Sequence, residues 1–328
     1  MVKQRFAAVW RQVGLAVALA ACAGVACAQA YPNRPIRLIV PWPPGGGVDT
    51  AARLIAQPLA ERLGQPIVVE NKPGVAGNLG TSLFTKEAPD GYALLMGSLS
   101  PNAVNPHLYS KLGFDPIKDF EFVALAYIVP SFLVVPANSP ANSPKELVAM
   151  AKANPGKLNF GSGGAGSSQH LFSVMFNTAT GIETVHIPYK GTAPAEAALV
   201  AGEIDYMVDP PTALPFVNSG RLKALAVAAP TRSPALPNVP TLDELGISNV
   251  HTSTFYGFMA PAGTPKAIVD RLNKEINAVL QTPDMQARIL KNAAQTYNWS
   301  PQEFAKFVRD ELDRYREVVR LSGAKQVD

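Results

Sequence analysis

Short apolar runs alternate with amphipathic stretches along most of this chain. The run 36–40, β-branched at three of its five positions, reads as a buried strand. Residues 51–63 read as a helix, with Leu54, Ile55, Leu59 and Leu63 on one stripe. A strand at 67–70, a helix at about 79–87 and a strand at 93–97 follow. This β-α-β-α-β order predicts a parallel sheet with right-handed crossovers. Residues 101–118 are irregular, and 122–126 and 132–135 are further strands. The second of these lies between Pro130 and Pro136, as expected of a segment passing from one domain to another. The pattern then restarts. Ser143 is placed to cap a helix, with Pro144 at its first position and Glu146 three residues on. Strands at 158–160, 184–187, 204–208 and 224–228 alternate with helices at about 167–179 and 193–201 and a short one after Asp209. A strand at 254–259 and three helices end the chain. The first of these helices runs to about 280, with Thr264 as its cap and Pro265 at its start. The others cover about 283–292 and 301–321, the last behind a Ser300-Pro301-Gln302-Glu303 capping box. The class is α/β, in two halves.

Two strand–glycine–helix junctions stand out. Between the first strand and first helix lie Pro41-Trp42-Pro43-Pro44-Gly45-Gly46-Gly47-Val48-Asp49-Thr50. The prolines stiffen the approach, and the glycines let a ligand come up to main-chain N–H groups. Asp49 or Thr50 is placed to cap the helix. The second junction is Gly161-Ser162-Gly163-Gly164-Ala165-Gly166-Ser167-Ser168. A helix start behind a glycine turn is an anion site, because unpaired N–H groups and the positive dipole end point at one spot.

Composition narrows the function. With 328 residues there is room for two domains, and 47% hydrophobic content supports a sizeable core. Charged content of 16% argues against a disordered tail and against nucleic-acid binding. Residues 1–30 read as a secretory signal: Lys3, Arg5 and Arg11, then an apolar stretch, then Ala28-Gln29-Ala30, with cleavage after Ala30. Leu19-Ala20-Ala21-Cys22 offers a rival lipoprotein reading, against which stand the apolar residues after Cys22. Cleavage would remove both cysteines, Cys22 and Cys27, and leave 26 basic and 25 acidic residues, a balance of +1 in place of +4. The mature chain is expected in the periplasm, with little field to steer a charged partner.

Several chemistries fit poorly. Gly45-x-Gly47-x-x-Thr50 with Glu70 at the end of the next strand, and Gly161-x-Gly163-x-x-Gly166, echo the dinucleotide fingerprint. The first lacks the third glycine, and the strand after the second ends at Tyr189-Lys190 without an acid. An NAD(P)-type oxidoreductase is the alternative to ligand capture. Ser162, Ser167 and Ser168 lie near His170, but no Gly-x-Ser-x-Gly elbow is present. His107, His170, His186 and His251 have no ligand spacing, so no metal or other cofactor is expected. Neither glycine run carries a Walker lysine. What remains is capture without chemistry, a carboxylate held by main-chain N–H groups and by hydroxyls of Ser98, Ser162, Ser167, Ser168 and Thr192. Lys190 is a basic residue at a strand end, a candidate for the cleft or a solvated loop lysine, Asp209 is a candidate acceptor, and Trp42 a candidate pocket wall.

The segments 41–49, Glu70-Asn71-Lys72-Pro73-Gly74-x-x-Gly77-Asn78-x-Gly80, 161–167, His186-x-Pro188-Tyr189-Lys190-Gly191 and 258–265 together resemble the Bug-type solute-binding proteins of tripartite tricarboxylate transporters. The resemblance runs from about residue 31 to the C-terminus. It implies a type II periplasmic binding-protein fold of two α/β domains, here 31–132 plus 255–328 and 133–254, with a ligand cleft between them. It also implies a small carboxylate ligand (dicarboxylate, tricarboxylate, amino acid or aromatic acid) and delivery to membrane permease subunits, with a ligand-sensing role as the variant. The first loop, Pro44, Gly45, Gly46, Gly47 and Val48, would grip the carboxylate, shaped by Asp49 and Asn78. The second, Ser162, Gly163, Gly164, Gly166, Ser167 and Ser168, would close on it beside Gly191. Asn78 departs from the commoner glycine, and Trp42 from phenylalanine or tyrosine, which leaves ligand identity open. A monomer is expected.

Overall fold

The computed structural model describes residues 31–165, 167–229, 231–248, 250, 252–291 and 293–322; residues 1–30, read as a signal from the sequence, and Gly166 and His251 lie outside them. The first lobe is built on a five-stranded sheet. Strands β1 (Ile36–Val40), β2 (Ile67–Asn71) and β3 (Ala93–Ser98) are parallel, in the order β2-β1-β3. The chain then reaches β4 (Phe120–Pro130), longer than its apolar run suggested, and crosses into the second lobe as β5 (Phe132–Pro136). There β6 (Asn159–Ser162) and β7 (Val185–Pro188) pair in parallel, and β8 (Met207–Asp209) and β9 (Leu222–Val227) flank β5. A parallel bridge from Phe160 to Tyr206, just ahead of β8, joins the two groups into one sheet. Finally β10 (Ser253–Pro261) returns to the first lobe and inserts antiparallel between β3 and β4. Each lobe is therefore a sheet with parallel strands on one side and a crossing strand on the other.

Two strand crossings join the lobes, and they are tied to each other. Ser131 N–H donates to Thr252 O at 3.1 Å, Thr252 N–H to Ala228 O at 2.8 Å, and Ala228 N–H to Ser131 O at 2.8 Å. This narrow junction is where a hinge has to lie, because hinges take up their rotation in a few element-terminal residues.

The central strands β1, β3, β4, β5 and β10 are buried on both faces, as the unbroken apolar runs required, whereas β2 and β7 are partly exposed. Ile36, Leu38 and Val40 face α1 (Gly47–Leu63) and α7 (Lys266–Leu280); Ile39 and Leu95 face the opposite core. On that side α9 (Pro301–Ser322) covers the sheet with Phe304, whose ring meets Phe122 and Phe255 edge-on at 5.5 and 6.1 Å. The remaining helices are α2 (Asn78–Phe84), α3 (Pro144–Ala153), α4 (Ser168–Thr180), α5 (Thr192–Ala201), α6 (Leu214–Asn218) and α8 (Pro283–Lys291). Among the described residues no helix is long and apolar enough to cross a membrane.

The caps divide instructively. Ser143 accepts from Glu146 N–H, and Ser300 exchanges bonds with Glu303 at 3.2 and 2.8 Å, as their sequences predict. Thr264 does not cap: its hydroxyl turns back to Pro261 O at 2.7 Å, and α7 starts at Lys266 behind Pro265. Asp49 and Thr50 do not cap either. The first helix starts at Gly47, with Gly46 as an N-cap that has no side chain to give.

Phe304 is fully buried and its ring fills the space over Gly257. Phe304→Ala is expected to cost about 3–5 kcal/mol, measured by urea unfolding of the full chain; a loss below 1 kcal/mol would show that α9 is not part of the core.

Candidate functional site

Three helix starts meet at one place. Gly46, Gly47 and Val48 open α1 on the first lobe; Ser168 and Gln169 open α4, and Thr192 and Ala193 open α5, both on the second. Between them lies a cavity of about 30 Å³ whose lining holds no charged side chain. The first N–H groups of each helix have no intrahelical acceptor, and each helix end carries roughly half a positive charge. The hydroxyls of Ser98, Ser100, Ser168, Thr192, Thr254 and Tyr256 complete the lining. Burial lifts the Tyr256 phenol far above its ordinary range, so it stays a donor. Trp42 sits at the rim with its Nε1 donating to Ser98 Oγ at 3.2 Å.

A second, outer chamber of about 480 Å³ shares Trp42 and Pro43 with the inner one. Its walls are Gly74–Gly77 and Tyr109 from the first lobe, and Gly163–Ala165, Tyr189, Lys190 and Gly191 from the second. The lobes touch here. Tyr109 hydroxyl donates to Ala165 O at 2.7 Å, and Gly191, at φ +118°, would place a Cβ 2.8 Å from the Pro43 ring. Glycine is needed there for both its conformation and its lack of bulk.

Eight of the residues singled out in the sequence line the inner cavity: Trp42, Pro44, Gly46, Gly47, Val48, Ser98, Ser168 and Thr192. Gly163, Gly164, Lys190 and Gly191 line the outer chamber. The others hold the loops from behind. Asp49 is 3% exposed and its carboxylate takes the N–H of Gly45 at 2.9 Å, together with Arg53 Nε and Asn71 Nδ2. Burial works against this charge, but those three donors keep its carboxyl below the usual range. The N–H of Gly45, at φ +83°, is thereby used inside the loop and is not offered to a ligand. Asn78 is buried and accepts from Asn105 at 2.6 Å. Ser162 is fully buried; its hydroxyl accepts from Gly164 N–H at 3.1 Å and bonds His186 Nε2 at 2.6 Å. Ser167 is buried and caps α4 by accepting from His170 N–H. Asp209 is fully buried behind the wall. Gly166 lies outside the described residues.

Sequence reasoning passed over Gln169, Ser100, Thr254 and Tyr256. The last two sit in a run read only as an apolar strand. Gln169 was signalled by its place, the second residue of a helix behind a glycine turn. Glu70, the acid that would hold a ribose, is committed to Arg37 by two bonds at 2.8 and 2.9 Å. No group of three or more His, Cys, Asp or Glu among the described residues is arranged to hold a metal.

A family model described as the tripartite tricarboxylate transporter family receptor matches residues 51–323. The chain belongs to that family. Protein BugT of Bordetella pertussis is 38% identical over 315 residues, covering 95% of this chain and 97% of its own. Among solved structures, the R. palustris protein Rpa4515, with adipate, is 34% identical with a TM-score of 0.88, covering 90% of this chain and all of that one. MatC from Rhodopseudomonas palustris, with bound malate, is 34% identical with a TM-score of 0.84, covering 88% of this chain and 100% of its own. The receptor fold is thus that of periplasmic binding proteins, as its sequence motifs predicted.

The second loop of this receptor depends on an uncharged histidine pair. The His186 and His170 rings stack at 4.1 Å with Phe160 against them. Burial pushes His170 down to about 4, and burial together with His170 pushes His186 down to about 3. The unfolded chain therefore takes up protons on these two rings first, at its ordinary value near 6.5. Their contribution is complete above about pH 6.5 and is lost as pH falls toward 4 and 3. Melting temperature should drop over that window, and His186→Gln should flatten the drop; an unchanged profile in the variant would remove the histidines from this role.

Proposed function

We propose that this chain is a non-catalytic periplasmic receptor that captures a small organic carboxylate and delivers it to the membrane permease subunits of a tripartite transporter. It works as a monomer after cleavage behind Ala30. The observation that carries this reading is the meeting of three helix N-termini, from both lobes, on one cavity without a cation. Such a site suits an acceptor-only anionic group: donors come from fixed main-chain N–H groups and hydroxyls, and the helix ends supply the positive potential. The inner cavity, about 30 Å³, has room for about two water-sized groups, which is the size of one carboxylate. The outer chamber of about 480 Å³ takes the remainder of the ligand between Trp42, Tyr109 and Tyr189. The related structures with adipate and malate support the same ligand class.

Capture closes the lobes because a ligand touching both favours the closed arrangement by its differential affinity. Chemistry has no obvious agent here. The serine–histidine contact at Ser162 is fully buried and serves the loop, and no charged side chain reaches the inner cavity. A pyrophosphate has no space between the helix ends, and Glu70 is already paired with Arg37.

A thermal-shift screen of the mature chain against a panel of acids that includes malate and adipate tests this. A ligand at one hundred times its Kd should add about 2.7 kcal/mol of stability. Gly46→Val should abolish the response while leaving the ligand-free melting temperature in place, since a Cβ at Gly46 meets nothing closer than 3.7 Å and the larger side chain enters the cavity. A response to a nicotinamide cofactor and to no acid, or unchanged affinity in the variant, would overturn the proposal.

A further inference from the structure

Two acidic side chains lie behind the second-lobe wall of the cleft. Asp209, at the end of β8, is fully buried, and Glu196, one turn into α5, is 4% exposed. Each has a carboxyl oxygen with no hydrogen-bond partner among the described residues: Oδ2 of Asp209 and Oε1 of Glu196. Among the described residues no basic side chain acts on either carboxyl. Two ionised carboxylates side by side in such a place are strongly unfavourable, because hydrogen bonding from Gln169 to Asp209 and from Thr212 to Glu196 offsets only part of the burial and mutual repulsion. The two carboxyls lie within hydrogen-bonding reach of each other, so one proton held between them would remove one of the two charges. Burial raises both groups above the ordinary carboxyl range, and the charge of Glu196 raises Asp209 further.

The pair is wired to the cleft. The other oxygen of Asp209, Oδ1, accepts from Gln169 Nε2 at 3.4 Å, and the same nitrogen donates to Thr192 Oγ1 at 2.7 Å. A hydroxyl that accepts from an amide still has its own hydrogen to give. Thr192 lines the inner cavity, so that hydrogen is available to a bound group.

We propose that Asp209 and Glu196 share one proton and, acting through Gln169, hold Thr192 as a donor toward the cleft. Asp209, Glu196 and Gln169 are then positioning residues that make this wall selective for an acceptor-only group, a carboxylate in preference to an amide or an ammonium. The last step rests on the carboxylate-capture reading; the shared proton stands without it. The arrangement also links affinity to pH. Tyr256 of β10 faces the pair, and Tyr127 of β4 stands behind Tyr256 with its ring at 5.4 Å. Burial lifts both phenols above their ordinary range, so neither takes a negative charge when the pair loses its proton. Losing it puts a second negative charge behind the site, so carboxylate affinity falls as pH rises. Stability moves the same way: the native pair keeps a proton that the unfolded chain has released, and its contribution is lost as pH rises through the raised native value.

Infrared difference spectra of the mature chain, wild type minus Glu196→Gln, test the proton at neutral pH. A protonated-carboxyl C=O band present in the wild type and missing from the isosteric variant is expected; no such band in the wild type overturns the proposal. Calorimetric titration with malate and adipate tests the relay. Glu196→Gln keeps a donor toward Asp209 but has no proton to lose, so its affinity should no longer fall as pH rises. Gln169→Met, which adds no charge and cannot donate to Thr192, should bind about tenfold more weakly, the equivalent of one net hydrogen bond. Equal affinity in Gln169→Met, or an unchanged pH profile in Glu196→Gln, overturns the relay. If neither acid binds the wild type, the carboxylate reading fails for these probes and the infrared band alone decides the proton.

Discussion

The structure depends on the ends of three helices facing each other across a gap. Helix N-termini carry unpaired donors and partial positive charge, and pressing them together without an acceptor is unfavourable. The first lobe supplies α1, and the second supplies α4 and α5. In the proposed reading, an anion between them would satisfy all three, and closure of the lobes would follow from that single requirement. The two related sheets, each with its parallel strands ending at the cleft, bring the helix starts there, as open α/β sheets place ligands at their C-terminal edges. The chain passes between the lobes at the tied crossing of Ser131, Ala228 and Thr252.

Much of the charged and polar inventory serves to keep those donors in place. Asp49 clamps the first loop through Gly45, Arg53 and Asn71, and Ser162 with His186 clamps the second. These side chains act one step away from the cavity. The near-neutral balance of residues 31–328, 26 basic against 25 acidic, fits this design: oriented dipoles act at short range, and long-range steering is not needed.

The fold was legible because its signals are local. Apolar runs marked the strands, glycine turns marked the helix starts, and Ser143 and Ser300 marked caps that form as read. The site was legible only in outline. The glycine loops were found, but not which of their members face inward. Asp49, Ser162, Ser167, Asn78 and Asp209 have the right chemistry for a ligand and spend it on the protein, and this division is decided by tertiary packing. Gln169, Thr254 and Tyr256 escaped notice for the complementary reason: they sit in elements read for their apolar pattern, and only the approach of the two lobes turns them into a wall. Where a helix began at a glycine, side-chain capping rules pointed three or four residues beyond the true N-cap, Gly46.

A crystal structure of the mature receptor with a bound acid bears most directly on these ideas. One ligand carboxylate should lie within hydrogen-bond distance of the N–H groups at Gly47 and Val48 and of those at the starts of α4 and α5. A carboxylate held instead by Lys190 in the outer chamber, with the helix ends unoccupied, would contradict it.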